Sequence, residues 1–419
     1  MKILFRLLWC SVVLLGTGCA AGPHPAPIRA TATPARPLLL VSIDGYRADY
    51  LQRGMSPALV SLARDGARAE SMQPSFPSLT FPNHYTIVTG LRPDHHGIVA
   101  NTMVDAQLGK FSLGNRRAVS DGRWWAQGTP LWETADRHGM RTATMFWPGS
   151  EADIHGHHPD YWLPFDAALT PDRRVDQVLA WLDLPPAERP GFLTLYFDAV
   201  DHAGHVYGPD TPQLDAALRD TDTALARLVR GLRQRGLLDR INLIVLADHG
   251  MVATPRANNV LIDKLIALDQ VRIVGMGVLA GFNPKPGHDF APIEAKLEQP
   301  QQHMRCWDKA RIPARLHYGH HPRVPQLVCL ADAGWRITTA DYLATHPRVS
   351  LGEHGYDNAD PHMQALFVAH GPAFRRGVTV KPFANVDVYP LMTHLLGLPP
   401  AANDGDYDAV KQLLVPAAR

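Results

Sequence analysis

Three near-continuous apolar runs, residues 38–43, 192–197 and 241–247, each stop at or a few residues before an aspartate. Runs of this length without polar alternation suit parallel strands buried on both faces. In an open parallel α/β sheet, side chains just past the strand ends gather in one crevice, so residues distant in sequence can meet there. Seven residues are candidates for such a crevice: Asp44, Thr80, Asp201, His205, Asp248, His249 and His354. Carboxylates and imidazoles, with no thiolate among them, suit Zn²⁺ or a similar divalent ion. The pattern predicts the two halves of a dinuclear metal site.

The rest of the chain alternates strand and helix signals, which argues for a doubly wound α/β domain with a mostly parallel central sheet flanked by helices. Residues 56–65 read as a helix with Ser56 as N-cap and Pro57 at its first position. A short helix over 82–89 is closed by Gly90, and another over 131–138 by Gly139. Strand 142–146, helix 172–182 and a long helix over 212–235 follow, the last carrying Leu214, Leu218, Leu225, Leu228 and Leu232 as one stripe. Residues 252–350 lose this rhythm and read as an inserted smaller subdomain or cap. A strand over 365–369 and a helix over 388–396 resume it. The main domain is expected over 37–405, with 406–419 as a C-terminal tail.

A chain of 419 residues with 46% hydrophobic content can bury one large core or two moderate ones. Its formal charge of +1 gives no sign of a nucleic-acid-binding surface. Lys2 and Arg6, an apolar run over 7–15 and small residues up to Ala21 describe an export signal, too short to span a membrane. Cys19 leaves two processing routes open: lipid attachment at its thiol, anchoring the chain to a membrane, or ordinary cleavage after Ala21. Residues 22–36 are rich in Pro and Ala and read as a tether. Of the four cysteines, Cys306 and Cys329 remain after the leader. In an exported chain they are expected to pair, with two independent thiols as the alternative.

Local sequence gives each candidate a chemical role and a plainer one. Pro82 favours a helix start, which leaves Thr80 at a helix N-terminus where backbone N–H groups favour an alkoxide and a phosphate. A simple N-cap is the other reading of Thr80. Asp201 and His205 are four residues apart, so one helical turn puts them on a common face. Asp44-Gly45 and Asp248-His249-Gly250 both follow buried strands, with glycine permitting the tight turn. Singly, each is also compatible with a turn Asp beside a surface His. His354, or His362 eight residues on, could complete the ligand set, and spacing does not decide between them.

The motifs Ser42-Ile43-Asp44-Gly45, Thr80-Phe81-Pro82-Asn83-His84-Tyr85, Asp201-His202-Ala203-Gly204-His205, Ala247-Asp248-His249-Gly250-Met251 and His354-Gly355-Tyr356-Asp357-Asn358 resemble those of the nucleotide pyrophosphatase/phosphodiesterase family, in the alkaline phosphatase superfamily. The resemblance runs from about Leu38 to the region of Asp404. It implies two zinc ions, one held by Asp201, His205 and His354, the other by Asp44, Asp248 and His249 with Thr80 as nucleophile and ligand. It favours His354 over His362. It also implies that Asn101 holds a non-bridging phosphate oxygen, and that Phe81, Trp147, Phe165 and Tyr196 frame a nucleotide base. Phe165 stands where the family usually has Tyr. For these aromatics core packing is the plainer reading. The implied reaction is a ping-pong hydrolysis of nucleotide phosphodiesters and pyrophosphates to nucleoside 5′-monophosphates through a phosphothreonine. A phosphomonoesterase, a lipid-headgroup phosphodiesterase and a non-catalytic binding protein are the alternatives.

Overall fold

The computed structural model describes residues 36–416. The expected export signal, Cys19 and all but the last residue of the expected tether lie outside the described residues. Eight strands form the central sheet: β1 (Leu38–Ile43), β2 (Ala67–Ala69), β3 (Thr142–Met145), β4 (Tyr161–Trp162), β5 (Phe192–Phe197), β6 (Asn242–Leu246), β7 (Phe367–His370) and β8 (Val378–Val380). Their spatial order is β8-β2-β7-β6-β1-β5-β3-β4. β1 runs between β5 and β6 and parallel to both, with Ser42 opposite Tyr196 on one side and Leu246 on the other. That register brings the ends of the three apolar runs level, and so sets Asp44, Asp201 and Asp248 beside one another. Only β7 breaks the parallel pattern, pairing antiparallel with β6 and β2.

β1, β5 and β6 are buried at every position, as strands covered on both faces must be. Each Leu, Ile or Val so removed from water contributes about 1.5–3 kcal/mol. The main helices are α1 (Pro57–Asp65), α2 (Thr80–Thr89), α3 (Pro171–Leu182), α4 (Ala199–Tyr207), α5 (Pro212–Gln234) and α6 (Val388–Leu396). Two helix starts differ from the sequence reading. Ser56 does occupy the N-cap position of α1, but its Oγ accepts from the Tyr46 hydroxyl. The first-turn N–H groups of Ala58 and Leu59 donate instead to the carboxylate of Asp222 on α5, both at 2.9 Å. A carboxylate is the stronger acceptor, and only the fold brings it there. α2 begins at Thr80, two residues before the expected start. Pro82 then sits in the first turn, where its missing N–H costs no helical bond.

The insert carries its own antiparallel sheet, in the order Val271–Gly275, Leu279–Pro284, Leu327–Ala331, Met304–Asp308. Cys306 and Cys329 are directly opposite in the last pair and form a disulfide. The segment after 405 is not a loose tail as far as it is described. Val410 and Leu413 are buried, and Val415 N–H donates to the Ala373 carbonyl. No helix among the described residues is long and apolar enough to cross a membrane.

Candidate functional site

Asp44 leaves the end of β1 through Gly45, whose φ of +69° is a left-handed turn that glycine adopts freely. A Cβ at Gly45 would also lie 3.0 Å from the Asp201 Cα, so this glycine lets β1 and α4 approach. Asp201 and His205 share the inner face of α4, one turn apart. Asp248 and His249 follow β6, and His354 reaches in from the loop after the insert. Asp201, His205 and His354 offer ligand atoms within 4.8 Å of one another, as do Asp44, Asp201 and His249. His249 Nε2 lies 3.4 Å from Asp44 Oδ1, 2.9 Å from Asp248 Oδ2 and 3.2 Å from Thr80 Oγ1. All seven candidates therefore converge. His362 does not join them: it is exposed and pairs with Asp360.

The three imidazoles are held alike. His205 Nδ1 donates to the Gly352 carbonyl, His249 Nδ1 to that of Gly250, and His354 Nδ1 to that of Ser78, at 2.8–2.9 Å. Such outer hydrogen bonds fix the tautomer and leave Nε2 as the donor lone pair for a metal. Burial, then the neighbouring His249 and His205, push the His354 imidazole well below its ordinary pKa, so it is neutral, as a ligand must be.

The carboxylates make the strongest case for a cation. Burial, then the charges of Asp248 and Asp201, drive the Asp44 carboxyl well above the ordinary range. Burial pushes Asp248 the same way, but His249 and His84 hold it well below. Asp44 Oδ1, Asp201 Oδ1 and Asp248 Oδ2 are buried oxygens without a hydrogen bond, Asp248 Oδ2 meeting only the imidazoles of His249 and His84. Unpartnered buried carboxylate oxygens cost several kcal/mol unless something neutralises them. Divalent ions bound by these oxygens and the three Nε2 atoms satisfy both the charge and the lone pairs, so the residues present fit such a group.

Thr80 is the first residue of α2, with Leu79 as N-cap. The Asn101 Oδ1 accepts from the Phe81 N–H at 3.0 Å, which points its amide NH₂ end beside the same helix start. A cavity of about 220 Å³ opens from Asp44, Thr80 and Asp201 and runs between Phe81, Trp147, Phe165 and Tyr196. The aromatics are not equivalent. Phe165 is exposed at the rim, whereas Trp147 is buried with its Nε1 donating to the His84 carbonyl. Tyr196 presents its ring to the cavity but its hydroxyl donates to Asp44 Oδ2 at 2.5 Å. It therefore braces Asp44 from within strand β5, a role its place in an apolar run concealed.

His84 follows Thr80 by four residues in the same motif. It is fully buried, with Nε2 2.9 Å from Ser42 Oγ and Nδ1 2.9 Å from the Thr80 carbonyl. Its Nδ1 also lies 3.3 Å from Asp248 Oδ2, and the three groups Asp44, His84 and Asp248 cluster closely enough to hold an ion. With both ring nitrogens engaged, His84 acts as a brace between α2, β1 and Asp248. The signal for it was its i+4 spacing from Thr80.

Comparison with known proteins agrees with this geometry. The family described as Type I phosphodiesterase / nucleotide pyrophosphatase matches residues 38–357. The chain belongs to this family. Within it, the chain is 37% identical over 387 residues to an uncharacterized pyrophosphatase/phosphodiesterase of Schizosaccharomyces pombe, spanning 90% of this chain and 80% of the yeast protein. It is 36% identical over 420 residues to the bis(5′-adenosyl)-triphosphatase ENPP4 of Bos taurus, spanning 99% of this chain and 88% of that one. A rattlesnake enzyme, venom phosphodiesterase CdcPDE of Crotalus durissus collilineatus, is 38% identical over 394 residues. There the match spans 90% of this chain but 46% of the venom protein, so the chain covers less than half the length of some family members. Murine ectonucleotide pyrophosphatase/phosphodiesterase 5 superposes with a TM-score of 0.86 at 33% identity, covering 91% of this chain and all of the other. That structure is an inactive Thr→Ala form in complex with AMP. The fold is thus the alkaline-phosphatase-like one that the motifs implied.

Proposed function

We propose that this protein is a two-zinc phosphodiesterase that hydrolyses nucleotide phosphodiester and pyrophosphate bonds, releasing nucleoside 5′-monophosphates. The observation that carries this reading is the set of three unpartnered buried carboxylate oxygens facing three oriented Nε2 atoms, with Thr80 Oγ1 alongside at a helix N-terminus. Asp201, His205 and His354 would hold one ion, and Asp44, Asp248, His249 and Thr80 the other. When bound, the pair supplies Lewis acidity at both apical oxygens of an in-line displacement.

The chain's own residues do the rest. The N-terminal end of the α2 dipole faces an incoming phosphate and favours the Thr80 alkoxide. The Asn101 amide donates to a non-bridging oxygen and orients the phosphorus. Thr80 Oγ1 forms a bond to phosphorus as the bond to the leaving oxygen breaks on the side of Asp201, His205 and His354. Water then cleaves the phosphothreonine ester, regenerating Thr80 and releasing the 5′-monophosphate. Phe81 and Phe165 flank the nucleobase, each stack being worth about 1–3 kcal/mol.

The AMP bound to the structural neighbour, and the loss of activity in its Thr→Ala form, support a nucleotide substrate and a threonine nucleophile. A dianionic monoester would need an extra cation. The one Arg lining this cavity, Arg116, is already paired with Glu151 at 2.5 Å, which favours diesters. The leader-like N-terminus and the Cys306–Cys329 disulfide support export to an oxidising compartment. The mass of the mature N-terminus distinguishes lipid on Cys19 from cleavage after Ala21. The function is tested by Thr80→Ala, expected to abolish hydrolysis of a nitrophenyl nucleotide ester while retaining zinc. Near-normal turnover by that variant would refute the nucleophile assignment. A higher kcat/KM for a nitrophenyl monoester than for the diester would refute the substrate class.

A further inference from the structure

The insert, which contributes no metal ligand, reaches across to the segment that carries Asn101. Arg323 of the insert is only 4% exposed. The guanidinium Nη1 donates to the carbonyls of Gly97 at 2.8 Å and Trp124 at 2.9 Å, and Nε donates to Asp105 Oδ2 at 2.9 Å. Its plane also sits 4.8 Å from the Trp124 ring centroid. Gly97 and Asp105 bracket Asn101 four residues on either side, so one guanidinium pins both ends of the segment. Gly97 has a φ of +78°, and a Cβ there would lie 3.0 Å from Arg323 Nη1; glycine makes this approach feasible. Two further contacts from the insert act on the same stretch. The Tyr318 hydroxyl donates to the Val99 carbonyl at 3.1 Å, and the Asp94 carboxylate accepts from the N–H groups of Gly319, His320 and His321.

The segment so held serves the cavity twice. Asn101 accepts from the Phe81 N–H, and beyond it the hairpin of Thr102–Asp105 with Gly109–Ser112 delivers Phe111 against Phe81, with ring centroids 5.9 Å apart. Trp124, clamped by Arg323, packs on Phe111 at 5.3 Å. Without the guanidinium, the carbonyls of Gly97 and Trp124 and the half-buried carboxylate of Asp105 lose a donor, and of the insert's polar contacts named here only those of Tyr318 and Asp94 still hold the stretch.

We propose that Arg323 is a positioning residue for the phosphodiesterase reaction, acting through Asn101 and the Phe81 wall from an insert that touches no reacting atom. This rests on Asn101 holding a phosphate oxygen, as argued above. Arg323→Met is expected to lower kcat/KM about ten- to a hundred-fold, the range that a misplacement of about 1 Å produces. The loss should appear with a base-free diester, bis(nitrophenyl) phosphate, as well as with a nitrophenyl nucleotide ester, because the phosphate contact is common to both. Zinc content should stay at the wild-type level. Arg323→Lys should restore little, since an ammonium cannot serve a carboxylate and two carbonyls in one plane.

A double-mutant cycle with Asn101→Ala separates this from general loosening, because residues acting as a unit are non-additive. In the Asn101→Ala background, Arg323→Met should cost less than threefold more. Additive losses would overturn the proposal, as would wild-type kinetics in a folded Arg323→Met. Should Arg323→Met fail to fold, Asp105→Asn removes the charged partner while keeping the side-chain oxygen that accepts from Gln107 and Leu108. It should then lower kcat/KM several-fold with zinc retained, and an unchanged kcat/KM would overturn the proposal. Wild-type rates in Asn101→Ala itself would instead strike at the role given to Asn101.

Discussion

Replacing Asp44 by Asn should stabilise the metal-free protein and weaken the metal-loaded one. Asp44 offers a ligand atom within 4.8 Å of one from Asp248 and one from Asp201. Two unit charges at about 5 Å and an effective dielectric near 20 repel by about 3 kcal/mol. With zinc removed, Asp44→Asn deletes that repulsion and keeps an amide oxygen for the Tyr196 hydroxyl. In a domain of this size, about 3 kcal/mol corresponds to about 4 °C in Tm. With zinc present the order reverses. An ion at a thousand times its Kd stabilises the wild type by about 4 kcal/mol, and the variant forfeits much of that.

The pH dependence of the metal-free comparison follows from the raised Asp44 carboxyl. The folded state holds this proton to higher pH than the unfolded chain, whose carboxyl titrates at the ordinary value of 3.8. Its contribution is therefore fully present below that value and is lost as pH rises through the raised folded value. The advantage of Asp44→Asn without metal should accordingly grow with pH. Thermal melts with a chelator and with added zinc, run across pH, measure all three effects. A variant less stable than wild type in chelator, or a wild type indifferent to chelator, would refute the reasoning.

Tyr196→Phe should lower zinc affinity and kcat, because a hydrogen bond to a charged carboxylate is worth about 1.5–3 kcal/mol; chelator competition reads the affinity, and an effect confined to KM for nucleotides would mean that the tyrosine meets the base instead. Phe165→Ala should raise KM for a nitrophenyl nucleotide ester about tenfold and leave bis(nitrophenyl) phosphate unaffected; equal losses on both substrates would make Phe165 a packing residue. Opening the Cys306–Cys329 disulfide by replacing both residues with Ser should cost about 3 kcal/mol, the value for a closed loop of this order of length, with the loss seen in denaturant unfolding; unchanged unfolding would show the insert's sheet to be self-sufficient.

Much of the site was legible because its ligands lie just past strand ends. The apolar runs before Asp44 and Asp248 announced β1 and β6, and the parallel register then made their convergence unavoidable. Asp201 and His205 were readable from helical spacing. Contacts between remote elements were not. Nothing near Ser56 signalled that Asp222, more than 160 residues away, would cap α1. Tyr196 reads as one more apolar position in its strand, because the acceptor of its hydroxyl lies across the sheet on Asp44. Arg323 looked like an ordinary charged residue in an irregular stretch, since the carbonyls it binds belong to a segment more than 190 residues earlier. The packing of the C-terminal segment was illegible for the same reason: the apolar residues Val410 and Leu413 are too few to form a periodic pattern, yet they find a surface to cover.

Metal content tests the account most directly. Elemental analysis of the purified, dialysed and fully active protein should give two zinc ions per chain, with chelation abolishing hydrolysis and zinc restoring it. Full activity in protein that carries no divalent metal would contradict the reading of Asp44, Asp201, Asp248 and the three histidines as ligands.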